Sequence, residues 1–246
     1  MNKSWILILG ANSDMAQATA KRFAEAGYNL YMASRNLTEL TKTCQDLSLR
    51  YSVEANPIQY DARAFDTHTE FYQNLKNKPV GLVVAFGAMH DQVKAENDFS
   101  LAKEMIETNY LGAVSIIEIV VRDFILIGQG FIVGISSVAG DRGRKSNYIY
   151  GSSKAAFSTY LAGLRHRLYA TNIQVVTVKP GFVSTKLTAH LDLPKKLTAQ
   201  PEQVANSIFN AVQKNKSTTI YIKPIWRFIM LIIMHLPAFV FNKTNM

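Results

Sequence analysis

The chain predicts an α/β fold, a single domain built on a doubly wound parallel sheet of about seven strands, on three observations. Short apolar runs alternate along the sequence with longer segments of helical character, the pattern of repeated strand and helix units. A glycine-led turn, Gly10 to Ala16, follows the first apolar run directly. The 246 residues are 48% hydrophobic, enough to bury a full core at this length, and no internal repeat, low-complexity stretch or linker divides them.

In chain order, strands are expected at residues 5–9, 30–33, 53–60, 82–86, 131–136, 173–179 and 219–222, with helices between them. Sheets of this kind bind ligands at the carboxyl ends of their strands, and the chemically interesting residues all fall there. The single cysteine, Cys44, excludes an internal disulfide and fits a reducing compartment. Residues 5–9 are too short for a signal peptide and run straight into the glycine turn, so a cytoplasmic protein is expected. The net charge of +9 points to an anionic partner such as a phosphate or a membrane surface. No nucleic-acid-binding motif accompanies that charge, and His166 has no metal-ligand spacing with the other histidines, so neither nucleic acid nor a metal is expected.

The stretch Ser136 to Lys154 carries the chemistry. Ser137 ends the fifth apolar run, while Tyr150 and Lys154 stand four residues apart, one turn along the same face of a helix. An ammonium held near a phenol favours the phenolate and lowers its pKa, which equips Tyr150 to exchange a proton with a carbonyl oxygen. Ser137 can hydrogen-bond the oxygen on which negative charge develops. The basic loop between them, Asp141 to Lys145, either rims the substrate cleft as an anion site or is a solvated charge cluster. The Arg165, His166 and Arg167 cluster reads as surface.

A serine, a tyrosine and a lysine in this order and spacing, behind a glycine turn, resemble the active site of the classical short-chain dehydrogenase/reductases, over residues 10 to about 222. The resemblance implies a Rossmann-type fold, a nicotinamide cofactor, catalysis by Ser137, Tyr150 and Lys154, and assembly as a homodimer or homotetramer. Asn109 matches the family asparagine thought to hold a water near the lysine, completing a proton relay. The family turn carries glycines at positions matching Gly10, Asp14 and Ala16, so two of the three are replaced here. A carboxylate facing a pyrophosphate is repulsive. Asn12, Ser13 or Asp14 is therefore expected to cap the following helix, with Met15 completing the turn at the cofactor. Ser34 and Arg35 end the second strand where an acid would grip the ribose of NAD(H); Arg35 instead suits a 2′-phosphate, so NADP(H) is expected. Asp61, with Ala62, matches the position that accepts from the adenine amino group, although Asp61 also reads as a turn former. Phe86 and Gly87 stand where the family writes Asn-Asn-Ala-Gly, of which only the glycine survives. Pro180, Gly181, Val183 and Thr185 match the turn that lies against the nicotinamide. Residues 186–201 are then a substrate lid, with Leu187, Leu191, Leu193 and Leu197 as an apolar wall.

Residues 1–223 form the family domain, and residues 224–246 are a tail that this core does not explain. Residues 224–241 are apolar nearly all round, yet too short and too interrupted by Arg227, His235 and Pro237 to span a bilayer. They pack between subunits or lie in a membrane interface with Trp226 at the headgroups. The Ser-Asp turn and this tail are similar to a subgroup that includes the decaprenylphosphoryl 2-keto-ribose reductases, which implies a lipid-linked keto-sugar substrate. A diffusible apolar ketone such as a 3-oxoacyl chain or steroid, and a non-catalytic NADP-binding redox sensor, are the alternatives.

Overall fold

The computed structural model describes residues 3–189, 192–215 and 217–244. Seven strands form one parallel sheet in the order β3-β2-β1-β4-β5-β6-β7: β1 (Trp5–Leu9), β2 (Asn29–Ser34), β3 (Ala55–Gln59), β4 (Gly81–Val84), β5 (Gly130–Ile135), β6 (Ile173–Lys179) and β7 (Thr218–Tyr221). The expected strands are all present and differ only at their ends. The third run is shorter than expected, because residues 53–54 lead into the sheet without pairing as strand and Tyr60 has already left it.

The helices are α1 (Asp14–Glu25), α2 (Leu37–Tyr51), α3 (His68–Gln73), α4 (Gln92–Asn97), α5 (Phe99–Ile106), α6 (Gly112–Ile127), α7 (Tyr148–Arg167), α8 (Pro201–Gln213), α9 (Ile225–His235) and α10 (Ala238–Phe241). They cover both faces of the sheet, which explains the continuous apolar character of the central strands; every residue of β1 is buried. One core cluster packs α1, α2 and α8 through Phe23, Leu40 and Ile208 against one face. The other packs α6 and α7 through Ile117, Phe124 and Leu161 against the opposite face.

The order of strands reverses at β1, whose neighbours are β2 on one side and β4 on the other. Crevices form outside the carboxyl ends of strands at such a switch point. Arg165 is not the surface residue that its neighbours suggested. It is half-buried, and its guanidinium donates to the Val175 carbonyl, the Thr177 hydroxyl and the Thr218 carbonyl, tying β6 to β7. Arg167 is at the surface, paired with Glu118 at 3.0 Å.

Candidate active site

The crevice at the ends of β1, β2 and β4 is lined by Gly10, Ser13, Ser34, Arg35, Asp61, Ala62, Phe86 and Gly87, eight of the residues singled out in the sequence. Its floor depends on Gly10. That residue has φ +78°, and a Cβ there would meet the backbone of Phe86, at 2.6 Å from its Cα. Only glycine accepts this conformation without strain and lets β1 and β4 turn away from each other so closely.

The turn after Gly10 resolves the question of the cap. Ser13 is the N-cap of α1 and accepts from the Ala16 amide at 3.2 Å. Asp14 turns outward and accepts from the Lys186 amide at 2.6 Å, which joins the turn to the segment after Thr185. Asn12 donates to the Asn36 carbonyl at 2.8 Å, and its own carbonyl oxygen is buried without a partner. Met15 does not face the crevice; it packs against the core cluster beneath α1. Asp61 accepts from the Arg63 amide at 3.0 Å, the turn-forming role, while remaining on the crevice wall.

The catalytic candidates converge beside this crevice. Lys154 is 4% exposed, and its Nζ donates to the Ile135 carbonyl at 3.1 Å while lying 5.9 Å from the centre of the Tyr150 ring. Ser137 hydrogen-bonds Tyr150 and accepts from the Ala139 amide at 3.1 Å, fixing the turn that follows β5. Asn109 lies on a π-helical turn, Glu107–Leu111, between α5 and α6. Such turns interrupt the regular ladder and are frequent at functional sites. Its side chain accepts from the Ala88 amide at 2.7 Å and donates to the Ala88 carbonyl and the Ser153 hydroxyl, both at 2.8 Å. A Cβ on Gly87 would approach Asn109 Oδ1 at 3.2 Å and Lys154 Nζ at 3.3 Å, so these two groups share one corner.

The electrostatics differ from the simple expectation of a phenol acidified by its lysine. Tyr150 is half-buried, and burial pushes its hydroxyl up to about 12, opposed by the hydrogen bond from Ser137. Burial also pulls the Lys154 ammonium down to about 8. Both shifts have one cause, because removal from water penalises each charged form, and at this separation desolvation outweighs the attraction between them.

Pro180 and Gly181 follow β6 and abut the serine turn, where the Val138 amide donates to the Pro180 carbonyl at 3.0 Å. Val183 is buried in the core, and Thr185 is tied to Thr188 in a reciprocal cap, so neither side chain lines the crevice. Of the expected lid wall, Leu193 and Leu197 are half-buried; Leu191 and the side chain of Leu187 lie outside the described residues.

The basic loop is neither a solvated cluster nor an anion site at the rim. Arg142 donates to the Ile233 carbonyl and, at 2.7 Å, to the Leu236 carbonyl at the end of α9, and stacks 3.9 Å over the Phe241 ring. Arg144 reaches the Met230 sulfur at 3.2 Å, and Asp141 pairs with Lys179 and accepts from the Tyr221 hydroxyl. Trp226, expected at headgroups, is 4% exposed and lies beneath Gly181, donating to the Leu197 carbonyl at 3.0 Å.

Two features in and behind the crevice escaped sequence reasoning. Tyr60 lines it, with a buried hydroxyl that has no partner, and Ser136 holds β5 to α7 by donating to the Lys154 carbonyl at 3.0 Å. Tyr60 immediately precedes the singled-out Asp61 at a strand end, and that position was the available signal. The orphaned oxygens of Tyr60 and Asn12, together with the side-chain-free floor at Gly10 and Gly87, fit an extended polar ligand of dinucleotide shape.

The short chain dehydrogenase family model matches residues 4–196. The chain belongs to that family. It is 30% identical over 241 residues to an uncharacterised oxidoreductase of Mycobacterium tuberculosis, covering 97% of this chain and 96% of the relative. It is 32% identical over 186 residues to sulfoacetaldehyde reductase 2 of Chromohalobacter salexigens, covering 74% of each. Among solved structures, actinorhodin polyketide ketoreductase with NADPH is similar at TM-score 0.78 and 21% identity, over 89% of this chain and 96% of that one. An alcohol dehydrogenase of Thermococcus sibiricus complexed with 5-hydroxy-NADP is similar at TM-score 0.82 and 19% identity, over 92% and 98%. The short-chain dehydrogenase is thus an oxidoreductase.

Proposed function

We propose that this short-chain dehydrogenase reduces a carbonyl group at the expense of NADP(H), with Ser137, Tyr150 and Lys154 as catalytic residues. The observation that carries the reading is the meeting of these three side chains beside a crevice at the sheet's switch point. A reduced nicotinamide nucleotide held there supplies a hydride to the carbonyl carbon. Tyr150 gives its proton to the oxygen, and its raised pKa keeps that proton in place at neutral pH. Ser137 orients the oxygen. Lys154, cationic below about 8, stabilises the tyrosinate left behind and shares its corner with Asn109, which relays a proton in from solvent to restore the phenol.

Gly10, Asn12 and Ser13 would hold the pyrophosphate, Asp61 and Ala62 the adenine, Phe86 and Gly87 the ribose, and the backbone of Pro180 and Gly181 the nicotinamide side. Arg35 is exposed on the crevice rim, free to meet a 2′-phosphate, which favours NADP(H) over NAD(H). The substrate reading is a lipid-linked keto-sugar, supported by the apolar tail packed directly behind the serine turn. The working assembly is a homodimer or homotetramer.

Tyr150→Phe tests the reading. NADPH oxidation with a panel of ketones should fall by about a thousandfold or more while NADPH binding stays within about twofold. Retained turnover, or loss of both properties in a folded variant, refutes it.

A further inference from the structure

The C-terminal helices divide sharply into two faces. Trp226, Met230 and Ile233 of α9 are buried against Val138, Phe182, Leu197 and Tyr221. On the opposite side Phe228, Leu231 and Ile232 stand 65%, 52% and 63% exposed, and Phe239 of α10 is 71% exposed. Residues 228, 231 and 232 share one side of a helix, so Phe228, Leu231 and Ile232 form an apolar strip along α9, and Phe239 adds exposed apolar surface on the helix that follows. Contiguous apolar surface of this kind marks an interaction site. Among the described residues, no helix is long and apolar enough to cross a membrane.

Charge distinguishes between the occupants. From Gln203 to the C-terminus the chain has no aspartate or glutamate, but it carries Lys214, Lys216, Lys223, Arg227 and Lys243. Arg227 is exposed at the edge of the strip, and Lys223 lies next to the lid, donating to the Lys196 carbonyl at 2.8 Å. A second copy docked through this face about a two-fold axis would bring the cations at its edge, Lys223 and Arg227, toward their own counterparts. An anionic lipid surface neutralises them, at about 1 kcal/mol for each basic residue near the headgroups.

We infer that the exposed face of α9 and α10 lies in the interface of an anionic membrane, with Phe228, Leu231, Ile232 and Phe239 inserted and Lys223, Arg227 and Lys243 at the phosphates. Trp226 takes no part in insertion; it anchors the helix to the protein. Because the buried side of α9 touches Val138, one residue from Ser137, the docked protein holds its catalytic turn within one helix diameter of the lipid. The membrane contact does not depend on the chemistry proposed for the site, so its failure and the failure of the reductase reading are separately visible.

The test is sedimentation of the full-length protein with vesicles of phosphatidylcholine alone or mixed with phosphatidylglycerol, alongside analytical ultracentrifugation without lipid. Phe228→Glu/Ile232→Glu changes only exposed side chains, and circular dichroism verifies its fold. Wild type should partition at least about tenfold more strongly onto the anionic vesicles, and the double variant should lose at least about tenfold of that partition. Raised salt should weaken the wild-type binding. Equal partition of the two proteins, or no partition of wild type, overturns the inference. A self-association abolished by the double variant, without vesicle binding, assigns the face to a second copy instead and also overturns it.

Discussion

Gly181→Ala would place a methyl group on the indole of Trp226, against its Cε2 and Nε1. The indole cannot retreat, because it packs edge-on against Phe182 at 5.3 Å and is held by its bond to the Leu197 carbonyl. Overpacking of this kind costs about 1–3 kcal/mol. Trp226→Ala alone removes a nearly fully buried aromatic and leaves a cavity, at about 3–5 kcal/mol. In the double variant the new methyl group occupies space that the indole has left, so the first cost disappears. Its total should match the Trp226→Ala cost alone, and the two single effects should miss additivity by about 1–3 kcal/mol. Urea unfolding of the four proteins, followed by circular dichroism so that loss of the tryptophan does not disturb the signal, measures this cycle. Additivity within about 0.5 kcal/mol would refute the contact between the turn and the tail.

Removing the Arg35 guanidinium by Arg35→Ala should raise KM for NADPH by about 10–100-fold, from the roughly 1.5–3 kcal/mol of a hydrogen bond to a charged group, and leave NADH kinetics almost unchanged; equal effects on both cofactors would count against a 2′-phosphate contact. The pH profile of ketone reduction should be level through neutrality and fall as pH rises through about 8, where Lys154 loses its charge while Tyr150 remains protonated. Lys154→Arg should carry that falling limb to higher pH, and an unmoved limb would assign it to another group. Folding stability has the matching sign: the Lys154 pKa is below its usual 10.5, so the buried cation costs stability below about pH 8, and that cost is relieved as pH rises from about 8 toward 10.5. Lys154→Met should therefore raise the Tm at pH 7 and give a smaller gain at pH 10.

The strands were legible because a sheet covered on both faces needs residues apolar in sequence as well as in space, and β1 and β6 match their expected bounds at both ends. The Ser137, Tyr150 and Lys154 cluster was legible because two of its members lie one helical turn apart on α7. What escaped is what long-range partners decide. Nothing near Arg142 or Arg144 in the chain reveals that their partners lie some 90 residues onward. The inner and outer faces of α9 are both apolar, so the spacing of its residues concealed which face was buried. The direction of the Tyr150 shift was hidden for a similar reason. Proximity of a lysine is written in the sequence, but the depth at which both groups sit is not.

Arg142 fastens the loop after Ser137 to the last carbonyls of α9 and to the Phe241 ring, some 90 residues further along the chain. During synthesis those partners leave the ribosome well after the loop they brace. The turn therefore lacks this brace until α9 and α10 have emerged, and a nascent chain that had already released Ser137, Tyr150 and Lys154 would still hold the loop after Ser137 unfastened.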